Sequence, residues 1–514
     1  MAAKQQQQHH FLIVTYPAQG HITPARHLAR RLAGACPGAR VTICAPLSAF
    51  RKMFPGAAAA VTVTGEEECG DGDASVAYVA YSDGYDGGFD VAVDSYARYM
   101  EQARTAGSRS LAGVLRRLRD DGRPVTCAVY TLLLPWVSAV ARSHGVAATA
   151  VFWIQPATAL AAYYHYFRGH RDAVVAAAAA SGDGDPTRAE VRLPGLQPLR
   201  VRDLPSFLAV TSDDDPFAFV LPEFRELVDA IERDDDGSSS KPKPPTYVLA
   251  NTCDAMEPDA LASLRTHVDV FAVGPVLSFL HEADDGRRAP SPSPPRDVFD
   301  HDKSGYLGWL DTKPAKSVVY ISFGSSSVMS RKQVVEIIDA MAQVKRPFLW
   351  VLRKDNCKGH EDDDAAIKKA AAAAAVDADN GGMVVEWCDQ ARVLSHPSVA
   401  CFVTHCGWNS TLESAACGVP TVAVPQYSDQ GTAAWLVAER LGAGVRATAR
   451  GADGGVVEAA ELVRCVEAAV AEPVAARAAA WMGTARAAVA DGGSSHRNLT
   501  EFLTQIARGH GRGD

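Results

Sequence analysis

The residues best equipped for chemistry stand in THCGWNSTLESAACG, positions 404–418, directly behind the apolar run VACFV. His405, Trp408, Asn409, Ser410 and Glu413 bring an imidazole, an indole, an amide, a hydroxyl and a carboxylate to the junction of a strand and a helix. Packing a core requires none of them. A helix N-terminus offers N–H groups and a positive dipole end, so a histidine, an asparagine and a serine there suit phosphate oxygens. The spacing of Ser410 and Glu413 also fits a capping box, with the serine as N-cap. Both readings of that pair stand at this stage. From Trp387 to Gln430 there is one arginine and no lysine, so a GxxxxGK[ST] phosphate loop is absent. A diphosphate would instead be held by dipoles, hydroxyls and a histidine. Polar clusters also follow SVVYISF, as Gly324 to Ser327, and TVAVP, as Gln426 to Gln430.

A second candidate lies in YPAQGHITP, residues 16–24, after the apolar FLIVT. Thr23 suits a cap and Pro24 the first helical position. His21 would then sit just outside a helix N-terminus, where the dipole favours the neutral imidazole that a general base needs. A packing or surface role, the usual one for most of the 15 histidines, is the alternative. Cys388, His396, Cys401, His405, Cys406 and Cys417 lack a CxxC, and Cys401 falls inside an apolar strand run, so no metal site is expected.

The elements that must position these residues are α/β in pattern. FLIVT, CAVYTLLL, TAVFWI, YVLANT, SVVYISF, PFLWVL, VACFVT and TVAVP are mostly continuous apolar runs. Such runs mark strands buried on both faces of a parallel sheet, and helical patterns separate them. In open sheets of this kind, ligands bind beyond the carboxyl ends of the strands, where the polar clusters collect. The segments 232–246 and 282–304 are rich in Pro, Ser, Asp and Gly, and the second is the better linker. Residues 356–382 read as an insertion, and the Asp triplets at 213, 234 and 362 as solvated charge. Two doubly wound domains are expected: 1–255, then 256–304 as the end of the first domain and its linker, then 305–490.

With 514 residues, 47% hydrophobic and 22% charged, the chain has enough apolar sequence for more than one core. A formal charge of −9 argues against nucleic acid or an anionic membrane surface as main partner. MAAKQQQQHH resembles neither a signal peptide nor an anchor, and eleven cysteines without framework spacing read as free thiols. A cytoplasmic monomer working on small molecules is expected.

The 44 residues from Trp387 to Gln430 resemble the signature box of plant family 1 UDP-sugar-dependent glycosyltransferases in length and at both ends. The first strand with its histidine, SDGYDGGFD and VVYISFGS resemble further parts of that family. The resemblance implies a GT-B fold, two Rossmann-like domains with parallel sheets facing a central cleft, and a last helix, 491–514, that returns to the first domain. It implies metal-independent, inverting transfer from a UDP-α-sugar, with UDP-glucose as donor, to a small-molecule acceptor, and no cofactor. Carried onto this chain, His21 is the catalytic base. Trp387 stacks on uracil, Cys388 meets it through backbone groups, and Gln390 and Glu413 bind the ribose. His405, Asn409, Ser410 and Ser325 hold the diphosphate, while Trp408, Asp429 and Gln430 hold the sugar. Gly20 and Thr131 lie on the acceptor side. Thr131 stands where most members place an aspartate behind the histidine. YTLLLPW and WIQPAT resemble the branch of anthocyanin 5-O-glucosyltransferases and carboxylic-acid glucosyltransferases. A nicotinamide-dependent oxidoreductase is disfavoured because no G-x-G-x-x-G follows the first strand. A noncatalytic binding protein is the other alternative. The residues do not identify the acceptor.

Overall fold

The computed structural model describes residues 9–54, 76–180, 189–210, 217–233, 244–282, 305–353, 381–449 and 455–510, with isolated positions 212, 215 and 371. The Asp triplets at 234 and 362, the first two residues of the triplet at 213, and most of the segments 232–246, 282–304 and 356–382 lie outside the described residues. The chain forms two compact units. The first comprises Met1–Val201, Phe207–Val298 and Ala488–Asp514, and the second Arg202–Ser206 and Phe299–Ala487. The short excursion at 202–206 was not foreseen from composition.

In the first unit, β1 (His10–Val14), β2 (Arg40–Pro46), β3 (Val76–Tyr81), β4 (Cys127–Thr131) and β5 (Ala148–Trp153) belong to one sheet. A small antiparallel pair, β6 (Glu190–Val191) and β7 (Leu199–Arg200), precedes β8 (Thr246–Ala250) and β9 (Val270–Ala272). The seven-stranded order is β3-β2-β1-β4-β5-β8-β9, parallel throughout. The chain winds outward one way from β1 and then the other way from β4. The point where it reverses lies between those two strands. Helix Ser494–His510 packs on the far edge. Its buried Phe502 meets Tyr247 and Phe271 at ring distances of 5.6 and 5.8 Å. Asn498 also donates to the Ala272 carbonyl at 2.9 Å.

The second unit repeats the plan with β10 (Val318–Ser322), β11 (Phe348–Val351), β12 (Gly382–Val385), β13 (Val399–Thr404), β14 (Thr421–Ala423) and β15 (Gly444–Arg446). Its order, β12-β11-β10-β13-β14-β15, is that of a dinucleotide-binding sheet, reversing between β10 and β13. Because side chains alternate across a strand, Val319 and Ile321 enter a core beneath helices Arg331–Val344 and Ala459–Val470, while Val318 and Tyr320 enter the opposite one. Both faces are therefore apolar, which is why these strands read as continuous hydrophobic runs. The α/β class and the pair of doubly wound sheets match the sequence reading.

Candidate functional site

Each sheet carries polar side chains at the carboxyl ends of its two central strands. In the second unit, β13 ends at Thr404, and buried His405 follows. Its Nδ1 lies 3.3 Å from the Thr404 hydroxyl. From β10 the chain turns through Gly324 at φ 73°, and a Cβ there would stand 2.6 Å from the imidazole Cε1. Arg353 hydrogen-bonds the Gly324 carbonyl. Burial, and then the nearby Arg353 cation, hold the His405 pKa down at about 4. The ring is neutral at physiological pH, so it can donate one hydrogen bond without bringing a buried charge.

The helix after His405 runs from Trp408 to Cys417, with Gly407 as its N-cap and no side-chain cap. Ser410 and Glu413 therefore lie inside the helix, and the capping-box reading is wrong. Gly407 starts the helix because the backbone passes close to His405. A Cβ at that position would fall 2.5 Å from Nε2. Gln390, at the start of helix Gln390–Leu394, instead joins the pair. Its Nε2 donates to Ser410 Oγ at 2.9 Å and to Glu413 Oε2 at 2.7 Å. Tyr320, on β10, donates to Gln390 Oε1 at 3.2 Å and its OH lies 3.3 Å from Cys388 Sγ. Tyr320 is a supporting residue that the sequence concealed, because in a strand it reads as core. Trp387 lies half-buried against the same apolar cluster, after β12. Trp408 is buried, while Asn409 and Ser325 are half-buried on the first turn of the helix and in the loop after β10.

Beyond β14, the loop to helix Gln430–Trp435 holds Asp429 and Gln430, both buried. The Gln430 carbonyl oxygen accepts from the backbone N–H groups of Gln426 and Tyr427 at 2.9 and 3.3 Å, which leaves its NH₂ end as what it offers a ligand. Asp429 Oδ2 is buried without a hydrogen-bond partner among the described residues, and burial raises its pKa to about 7. A carboxylate oxygen in that condition is costly unless a ligand completes it. The excursion at 202–206 braces this loop. Thr432 donates to the Asp203 carbonyl at 2.7 Å, Arg446 to the Asp203 carboxylate at 2.5 Å, and the Ser428 N–H to Ser206 Oγ at 2.7 Å.

In the first unit, His21 belongs to helix Gln19–Ala35 rather than preceding it, and Pro24 lies inside that helix. Thr23 is not the cap; its hydroxyl accepts from Gln19 Nε2 at 2.7 Å. The corrected start keeps His21 in the first turn beside Gly20, at the carboxyl end of β1. Its Nδ1 lies 2.9 Å from the hydroxyl of Thr131, the last residue of β4, and that hydroxyl accepts from the Tyr16 N–H at 3.2 Å. Desolvation lowers the His21 pKa to about 3, so this imidazole too is neutral. The Tyr16 ring packs against it at 5.1 Å. The tyrosines at 163–166 are core residues: Tyr163 stacks on Phe224 at 4.1 Å, and Tyr166 is buried.

Residues 306–472 match the family model described as UDP-glucoronosyl and UDP-glucosyl transferase. UDP-glycosyltransferase 75C1 of Solanum lycopersicum is 40% identical, over 98% of this chain and 99% of its own length. The chain belongs to the plant family 1 UDP-glycosyltransferases. This glycosyltransferase is also 37% identical to anthocyanidin 3-O-glucoside 5-O-glucosyltransferase 1 of Perilla frutescens, over 97% of the chain and 98% of that protein. Its fold matches the crystal structure of Os79 from O. sativa in complex with UDP, with a TM-score of 0.76, 28% identity and coverage of 96% and 100%. The fold is GT-B, and the membership sets aside the oxidoreductase and noncatalytic readings. Among the described residues, no helix is long and apolar enough to cross a membrane.

Proposed function

We propose that this glycosyltransferase moves glucose from UDP-α-glucose to a hydroxyl or carboxyl group of a small hydrophobic plant metabolite, with inversion and without a metal, in the cytoplasm. The observation that carries the donor reading is the joining of distant residues on one sheet edge: Gln390 to Ser410 and Glu413, and His405 to the Gly324 turn. In this reading Trp387 stacks on uracil and the backbone of Cys388 meets its edge. Glu413, held by Gln390, accepts from the ribose hydroxyls. Ser410 already accepts from Gln390, which leaves its own hydrogen for a phosphate oxygen. His405, Asn409 and Ser325 supply further donors beside the N-terminus of the 408–417 helix, offsetting diphosphate charge in place of a cation. Trp408 walls the sugar, the Gln430 amide donates to it, and the open Asp429 oxygen accepts from its hydroxyls.

His21 meets the acceptor. The acceptor oxygen forms a bond to the anomeric carbon as the bond from that carbon to UDP breaks, and its electron pair leaves on the diphosphate. A hydroxyl acceptor must also lose a proton, which His21 Nε2 would take. Trp387→Ala tests the donor half. Base stacking on an aromatic ring contributes on the order of 1 to 3 kcal/mol, so the KM for UDP-glucose should rise about tenfold or more. An unchanged KM removes Trp387 from the donor site.

A further inference from the structure

We infer that Thr131 holds resting His21 as the Nε2–H tautomer, so that the ring presents a hydrogen-bond donor suited to an ionised carboxylate acceptor. This rests on the proposed function and assigns the substrate class that its first step favours.

The inference follows from counting hydrogens at one buried oxygen. Thr131 is fully buried, and its hydroxyl has two hydrogen-bond partners, the Tyr16 N–H and His21 Nδ1. A backbone N–H can only donate, so the Thr131 oxygen accepts there. The hydroxyl's own hydrogen then has one acceptor between these partners, the Nδ1 lone pair. The opposite assignment, Nδ1–H donating into Thr131, would make the oxygen accept twice and leave a buried hydroxyl hydrogen unmatched, which is penalised. An aspartate in this place would do the reverse. An ionised carboxylate only accepts, so it would draw the proton to Nδ1 and leave Nε2 as a base.

The chemical consequence depends on the acceptor. A carboxylic acid is ionised near neutral pH, with an ordinary pKa close to 4.3, and needs no base. Its attacking oxygen forms the ester bond to the anomeric carbon, the bond to UDP breaks, and no proton moves. Nε2–H can hold the other carboxylate oxygen in place. A phenol or alcohol finds a donor where a base is needed, and the ring must change tautomer before it can take a proton.

The test reads the ring directly. In protein labelled with ¹⁵N-histidine, and with His21 assigned by loss of its signals in His21→Gln, two-bond ¹⁵N–¹H correlations distinguish the tautomers without donor or acceptor. Wild type and Thr131→Ser, which keeps the hydroxyl, should both show Nε2–H, and Thr131→Asp should show Nδ1–H. With UDP-glucose, Thr131→Asp should also raise the ratio of phenol to carboxylic-acid transfer at least about tenfold. Nδ1–H in wild type overturns the inference, as does an unchanged ratio in Thr131→Asp. Because the spectrum needs no turnover, failure of the tautomer assignment and failure of the proposed transfer are seen separately.

Discussion

At the residue scale, the side chain whose role changed most is Glu413. As part of a capping box it would tolerate glutamine, since either side chain can reach back to an N-cap. It lies instead in the body of its helix, with one carboxylate oxygen 2.7 Å from Gln390 Nε2. Glu413→Gln removes the charge that would face the ribose hydroxyls and leaves the helix start untouched. Donor binding should weaken by roughly 1 to 2 kcal/mol while Tm barely moves. Parallel KM and thermal-melt measurements check this. An unchanged KM with a lowered Tm would return the residue to a purely structural role.

At the element scale, the turns that leave the central strands set the geometry. Gly324 adopts a left-handed φ, and its missing side chain makes room for His405. Gly324→Ala combines backbone strain with a Cβ 2.6 Å from the His405 ring, a buried imidazole with little freedom to retreat. Stability should fall by about 1 to 3 kcal/mol, and the KM for UDP-glucose should rise at least about tenfold. A wild-type KM and Tm would mean that the turn does not govern the histidine. The same turns explain what could be read from sequence. Strands buried on both faces, such as β10 and β13, announced themselves as apolar runs. The edge strands β12 and β15 did not, because each is short, starts with glycine and is only partly buried. Helix starts were misplaced at Thr23 and Ser410, where local capping patterns competed with longer-range demands. Gly407 must pass beside His405, and Ser410 is claimed by Gln390, more than a dozen residues earlier in the chain. The candidate site residues stood out by type and by resemblance, whereas Tyr320, Arg353 and the 202–206 brace did not. Their contacts depend on tertiary structure, and no local spacing encodes them.

At the scale of the whole molecule, two sheets wound on the same plan carry different chemistry at the same topological position. In one, His405 stands beside a helix N-terminus. In the other, His21 rests on Thr131. The acidic overall charge, −9, makes the local treatment of a diphosphate important, because the protein as a whole offers it no attraction. In the proposed reading, helix-end N–H groups, hydroxyls and a neutral imidazole would supply that treatment locally. The measurement that tests this account most directly is glucose transfer in excess EDTA. Purified protein is incubated with UDP-glucose and a panel of carboxylic acids and phenols, and products are followed by mass spectrometry alongside UDP release. The account predicts a hexose adduct on at least one acceptor, formed mole for mole with UDP and undiminished by EDTA. Absence of transfer to every acceptor, or activity lost in EDTA and restored by Mg²⁺ or Mn²⁺, would contradict it.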